Sequence, residues 1–227
     1  RPALAEIQQA NEEARDHDGP LEGPLRVTAP PDFGYGRLGV LIAEFSLSHP
    51  AVRFDVDVST RVVDLVGEGF DLAFRAARVD GSSSLVAKKL SAIELWLVAS
   101  PTWTKANGKR LKHPRDLEEI PCVLFRPSGD VQRFAMSLGG ESIELLLRGP
   151  VAGSDFWLTR RCILESVGPG VMPSIVARAD AADGRLVRLF PEWTTPTSHS
   201  YVVHAQGRYL TARARAFRDF VVARMKE

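Results

Sequence analysis

Two Rossmann-like α/β subdomains joined by two crossover strands are the architecture this sequence predicts. Three observations point there. Strand-like and helix-like segments alternate from residue 25 to residue 75, a second set of elements opens after Pro101, and a late strand and helix carry apolar residues suited to the first set.

Residues 1–16 place Leu4, Ile7 and Ala14 among polar residues, a weak amphipathic helix that Asp16-His17-Asp18-Gly19-Pro20 ends in a linker. Leu25-Arg26-Val27-Thr28 alternates as a strand, and Pro30-Pro31 stops it before a helix starting at about Phe33 to Gly36. That helix aligns Leu38, Leu41, Ile42 and Phe45 on one stripe and stops at His49-Pro50. Val52, Phe54, Val56 and Val58 alternate with Arg53, Asp55 and Asp57, so a second strand follows. A short helix is expected from about Arg61 to Glu68, capped by a left-handed Gly69, and then a strand over Asp71 to Arg75. Strand, helix, strand, helix, strand implies a parallel sheet.

Residues 85–90 and 93–99 read as two further strands, and Pro114 to Glu118 as one helical turn before a strand from Pro121 to Phe125. Gly139-Gly140 lies between the alternating runs 132–138 and 141–147, a hairpin signal, because paired residues with positive φ match strand twist. Ser154-Asp155 caps a helix carrying Phe156, Leu158, Ile163, Leu164 and Val167. Gly168 to Ser174 gives a turn, a short strand and the cap of a helix to about Ala182. Residues 184–190 and 200–204 read as strands, the second returning the chain to the first subdomain. A last helix from Thr211 offers Ala214, Phe217, Phe220 and Val221 to that sheet.

The composition excludes several function classes. With 29 Lys+Arg against 28 Asp+Glu, the net charge is +1, and no basic run is long enough to track phosphates, so nucleic-acid binding by this chain itself is not expected. Nothing approaches the ~18 consecutive apolar residues of a membrane span, and the start lacks a charged-then-apolar export pattern. The chain begins without Met inside a helix-like segment, so a preceding piece is expected to have been removed. Cys122 and Cys162 read as buried reduced thiols. The histidines at 17, 49, 113, 199 and 204 form no ligand spacing with Cys, Asp or Glu, so no metal and no cofactor is expected. No G-x-S-x-G, H-E-x-x-H, P-loop or G-x-G-x-x-G pattern stands in a suitable context, and an enzyme is not expected.

Four segments, in order, resemble the effector-binding (regulatory) domain of LysR-type transcriptional regulators. The first is Gly23 to Pro30 with Phe33-Gly34, Glu44-Phe45 and His49-Pro50. The second, and most specific, is Val63-Asp64-Leu65-Val66-Gly67-Glu68-Gly69-Phe70-Asp71-Leu72-Ala73-Phe74-Arg75. The third is Leu97 to Pro101 with Pro114, Asp116-Leu117 and Cys122. The fourth is Gly168 to Pro173 with Gly184 to Val187. The resemblance covers nearly all of residues 21–227 and implies a type-2 periplasmic-binding-protein fold. It divides the chain into the end of a linker helix and linker (1–22), a first regulatory subdomain (23–98 and 203–227) and a second (99–202). It implies a cytoplasmic bacterial regulator whose DNA contacts belong to an N-terminal winged helix-turn-helix that this sequence does not contain. It also implies dimerisation of the helix at 36–48 against the helix at 155–167 of a second copy, and a tetramer when intact. A transporter's solute-binding protein of the same fold is the alternative.

In an open α/β sheet, ligands sit at the carboxyl ends of strands, where helix N-termini present free N–H groups. A groove between the subdomains is the expected site, and a small organic acid the expected effector. The first subdomain would offer Pro30, Pro31, Asp32, Phe33 and Gly34, then Ser59, Thr60 and Arg61, then Arg75 and His204. The second would offer Ser100 and Pro101, Phe125 and Arg126, Asp155 and Phe156, and Met172. Each has a structural reading beside the functional one. Ser59 and Thr60, like Ser154 and Asp155, are helix caps first. Arg61 and Arg75 suit surface pairing with Asp32 or Asp64, the phenylalanines suit a core, and His204 suits a hydrogen-bonded strand position. Asp32 puts negative charge where an anion is expected, so either it turns away as a cap or the ligand is neutral or zwitterionic.

Overall fold

The computed structural model describes residues 20–61, 63–76, 85–126, 129–207 and 210–225. The helix expected over residues 1–16 lies outside them. The chain divides into two compact units, one of residues 1–92 with 199–227 and the other of residues 93–198.

The first unit is built on a sheet of order β2-β1-β3-β12-β4, with β1 at Gly23–Ala29, β2 at Val52–Val58, β3 at Leu72–Ala76, β4 at Leu85–Ile93 and β12 at Ser198–Ala205. β1 runs parallel to β2 and β3 as expected, but β12 is antiparallel to β3, so the sheet is mixed. One helical segment, α1, joins β1 to β2 and consists of Pro31–Phe33, a π turn at Gly34–Leu38 and Gly39–Ser48. Pro31 sits at the first helical positions, where its missing N–H costs nothing. Phe45 of α1 meets Phe54 of β2 and Phe217 and Phe220 of the last helix, here α5 (Ala212–Arg224), at ring-centroid distances of 6.0, 5.1 and 5.4 Å. Thr211 caps α5 by accepting the Ala214 N–H. On the other sheet face, Leu65 and Phe70 from the loop before β3 cover Ala73 and Val203.

Where a helix is expected at 61–68, the described residues 63–69 form a hydrogen-bonded turn instead. The Asp64 carboxylate accepts the N–H groups of Val66 and Gly67, each at 3.1 Å, giving the backbone a partner that competes with helix formation.

The second unit has the sheet β11-β5-β10-β6-β9 and a separate hairpin, with β5 at Leu95–Ala99, β6 at Val123–Phe125, β7 at Gln132–Leu138, β8 at Glu141–Leu147, β9 at Val151–Gly153, β10 at Gly170–Pro173 and β11 at Val187–Arg188. The helices are α2 (Pro101–Asn107), α3 (Phe156–Leu164) and α4 (Ser174–Ala182), with a 3-10 turn at Pro114–Glu119. The β7–β8 hairpin turns through Gly139 and Gly140 at φ +56° and +91°, a conformation that side chains with a Cβ resist. Its inward row of Phe134, Met136, Ile143, Leu145 and Leu147 packs with Leu97, Leu124, Val171 and Trp193. The other sheet face packs Val98, Val123 and Met172 against Ile163, Val176 and Ala177 of α3 and α4. The strand expected over 184–190 shortens to Val187–Arg188.

The unit boundaries fall after Ala92 and Ser198, whereas the resemblance implies boundaries after residues 98 and 202. Strand pairing is the reason: β5 bonds to β10 and β11 of the second sheet, and Ser200 to Val203 of β12 bond to β3 of the first.

Candidate functional site

At the carboxyl ends of β1, β2 and β3, the first unit gathers a row of polar side chains on one sheet face. Thr28 is paired in register with Asp57 and Ala73, so the two-residue alternation of strands sets Thr28, Asp57, Ala73 and Arg75 on the same side. Thr28 is fully buried and donates from its hydroxyl to Asp57 Oδ2 at 3.3 Å. Ser59 donates to the same oxygen at 3.1 Å, and Arg75 Nη2 donates to Thr28 Oγ1 at 3.4 Å. Arg75 Nη1 donates to the Phe74 carbonyl at 2.7 Å. Thus one buried hydroxyl joins a carboxylate to a guanidinium.

The two arginines here differ in their partners. Arg61 is exposed and clamped by Glu68, with nitrogen–oxygen distances of 2.8 and 2.6 Å, and lies 3.9 Å from Asp57. The Glu68 hydrogen bond raises the Arg61 value and lowers that of Glu68. Arg75 is half-buried and has no carboxylate within salt-bridge distance among the described residues. Burial pushes its pKa down from the usual arginine value, Asp57 opposes the shift, and Arg61 adds to it. A charge that has lost water without gaining an ion pair is where an incoming anion gains most.

Pro30, Pro31, Asp32, Phe33 and Gly34 form the turn from β1 into α1. Pro30 occupies the cap position without a side-chain bond, so Asp32 is not the cap but an acid in the first helical turn. Phe33 is core, stacked on Phe74 with centroids 5.0 Å apart. Gly34 lies so close to β2 that a Cβ would come within 3.0 Å of Val58. Among the described residues no helix follows Ser59 and Thr60 before β3, so neither serves as a cap, and Ser59 bonds Asp57. His204 lies apart from this row. Its neighbour Val203 pairs with Ala73, so His204 points to the opposite sheet face, where Arg218 of α5 approaches its Nε2 at 3.5 Å and its Nδ1 lies 3.1 Å from the Ala205 carbonyl. Burial lowers its pKa, with Arg218 and Lys88 adding to the effect.

In the second unit, Phe125, Arg126, Asp155 and Phe156 come together at the carboxyl ends of β6 and β9. Phe125 and Phe156 stack with centroids 3.6 Å apart and ring planes at 12°. Asp155 caps α3 by accepting the N–H groups of Trp157 and Leu158 at 2.9 and 3.0 Å. Arg126 adopts φ +43°, donates its N–H to Gly153 at 2.8 Å, and is solvent-exposed. The other three residues expected here fall elsewhere. Met172 has no exposed surface and belongs to the core. Ser100 and Pro101 follow β5, which is antiparallel to β10, and Val98 already pairs with Gly170 at the start of that strand. They therefore lie at the opposite end of the sheet, with Ser100 buried, bonded to Ser166 at 2.7 Å and capping α2.

Sequence reasoning missed Thr28 and Asp57. Their signal was present: register of β1 with β2 puts a threonine and an aspartate side by side at the ends of adjacent strands. Among the described residues, no group of three His, Cys, Asp or Glu could hold a metal, and no helix is long and apolar enough to cross a membrane.

Paired sheet-and-helix units with polar groups gathered at strand ends define a ligand-sensing α/β domain. Residues 18–226 match the LysR substrate binding domain, and the chain belongs to that family, the effector-sensing part of LysR-type transcriptional regulators. It is 30% identical to the transcriptional regulator PtxR of Pseudomonas aeruginosa, over 94% of this chain and 68% of that protein. It is also 30% identical to a transcriptional regulator of Xanthomonas campestris, over 96% of this chain and 65% of the relative, so it spans about two thirds of their length. Among solved structures, it resembles the LysR-type regulator CrgA of Neisseria meningitidis, with a TM-score of 0.82 at 24% identity over all of this chain and 76% of that one. The virulence activator AphB of Vibrio cholerae gives 0.80 at 23% identity, over 98% and 75%. These likenesses establish the two-subdomain, type-2 periplasmic-binding-protein-like fold. The relatives named here are transcriptional regulators, not enzymes and not transport proteins.

Proposed function

We propose that this chain senses a small organic acid whose carboxylate pairs with Arg75. The effector thereby changes how DNA-binding domains of the intact, cytoplasmic regulator engage an operator. The observation that carries the reading is the half-buried Arg75 guanidinium, held by Thr28 and the Phe74 carbonyl and without a carboxylate partner among the described residues. Control of DNA requires that the effector bind one of two states more tightly, since equal affinity for both shifts nothing.

The same reading has two copies pairing through α1 and α3. After their inward faces are buried, Val40 (59%), Leu47 (87%) and Leu158 (54%) remain exposed, enough apolar surface to favour a partner. Sedimentation of the wild type and of Leu47→Glu tests this, with a dimer expected for the first and a monomer for the second.

A thermal-shift screen of carboxylates tests the effector assignment. At a hundredfold excess over Kd, a ligand selective for the folded state contributes about 2.7 kcal/mol, a rise of several degrees in Tm. Arg75→Gln is expected to abolish the response while leaving the ligand-free Tm within a few degrees. An acid that protects both forms equally refutes the assignment.

A further inference from the structure

Asp57 gives the row at the strand ends a second valence. Its Oδ2 accepts from Thr28 and Ser59, and its one ion-pair neighbour among the described residues, Arg61 at 3.9 Å, is clamped by Glu68. Its Oδ1 makes no hydrogen bond among the described residues, and the side chain is 35% exposed. Arg75 and Asp57 Oδ2 both touch the Thr28 hydroxyl, so the guanidinium and the carboxylate that carries the open Oδ1 stand within about two hydrogen-bond lengths of each other. They do not neutralise one another directly, because no nitrogen of Arg75 comes within salt-bridge distance of Asp57 among the described residues.

From this juxtaposition we propose that the effector is a compact zwitterion of the α-amino acid class, its carboxylate on Arg75 and its ammonium on Asp57 Oδ1. The proposal rests on the organic-acid reading above and sharpens it. A carboxylate alone would satisfy Arg75 but bring its charge beside Asp57, whereas an adjacent ammonium turns that repulsion into a second charge-assisted bond. Complementarity of both signs is then what separates an amino acid from the simple acid of the same carbon skeleton.

Ligand-dependent thermal shifts of this chain test the idea with three probes for each amino acid side chain: the amino acid, its des-amino acid and its amino amide. The amino acid of the preferred side chain is expected to half-saturate at a concentration at least about tenfold lower than either companion. Asp57→Asn, which keeps an acceptor for Thr28 and Ser59, is expected to bring the amino acid level with its des-amino acid while the des-amino response stays or improves. A des-amino acid that protects the wild type as well as its amino acid overturns the zwitterion and leaves the organic-acid reading standing. Absence of protection by every carboxylate overturns both. An amino acid advantage that survives in Asp57→Asn overturns the assignment to Asp57.

Discussion

Arg160 grips Asp180 with two parallel bonds, Nε to Oδ2 at 2.5 Å and Nη2 to Oδ1 at 2.7 Å, and so ties α3 to α4 through a carboxylate whose side chain is only 1% exposed. Arg185 adds a third contact at 2.8 Å from a largely exposed position. Asp180→Ala strands the Arg160 charge in a site with little water and is expected to cost about 3–5 kcal/mol. Arg185→Ala removes a contact that solvent screens and is expected to cost about 1 kcal/mol or less. Urea unfolding of both variants checks the contrast.

Two glycines flank the segment entering β6. A Cβ at Gly149 would stand 1.7 Å from the Cys122 carbonyl oxygen, and one at Gly168 would stand 2.3 Å from that of Pro121. Both obstacles are backbone, which cannot swing aside as a side chain can. Gly149→Ala and Gly168→Ala are expected to lose about 3 kcal/mol or more, at or beyond the upper end of overpacking costs. Gly36→Ala, with nothing within 4 Å of the new atom and a helical backbone, is expected to be neutral or to stabilise by up to about 1 kcal/mol. Denaturation midpoints at equal slope settle the comparison.

The two thiols differ in reach. Cys122 is fully buried, and burial pushes its pKa up to about 12, whereas Cys162 on α3 is partly exposed. Because the thiolate is the reacting form, a thiol reagent at pH 8 is expected to modify Cys162 in the native protein and Cys122 only after unfolding. Mass spectrometry of timed samples reads the order, and early labelling of Cys122 would contradict it.

Two groups predict how stability follows pH. The folded-state pKa of His204 lies below its unfolded value near 6.5, mainly through burial, so the neutral ring is favoured. Its share of stability is complete above about pH 6.5 and is lost as pH falls through the lowered value. The Asp219 pKa is lowered to about 2, chiefly by its hydrogen bond from Arg218 and also by Lys88. Its share is complete above about pH 4 and is lost as pH falls through about 2. Asp219 is more than half exposed, so solvent limits that share to about 1 kcal/mol or less. His204→Gln is expected to flatten the first decline and Asp219→Asn the second, measured by unfolding at each pH.

Local chemistry was legible in the sequence. Paired glycines fixed the hairpin at residues 139–140, Asp155 and Thr211 took the cap positions their side chains suit, and Gly69 adopted φ +73° as expected even though the helix before it did not form. What escaped depended on strand direction and register. Ser100 was expected beside Phe125 and Asp155, but β5 runs against β10 and so ends at the opposite end of the sheet, which only long-range pairing decides. His204 was placed with Arg75, yet a one-residue offset across β12 and β3 sets them on opposite faces. Asp57 entered only as one of the polar residues alternating along a strand, because nothing local to it announces Thr28 as its neighbour in space.

β12 lies between β3 and β4, inside the first sheet although it is the last strand in the chain. During synthesis on the ribosome, residues 93–198 emerge as one unbroken stretch and can collapse while β4 still waits for the strand that will join it to β3. The order of completion is thereby inverted: the half begun first lacks an interior strand until all of the second has been made.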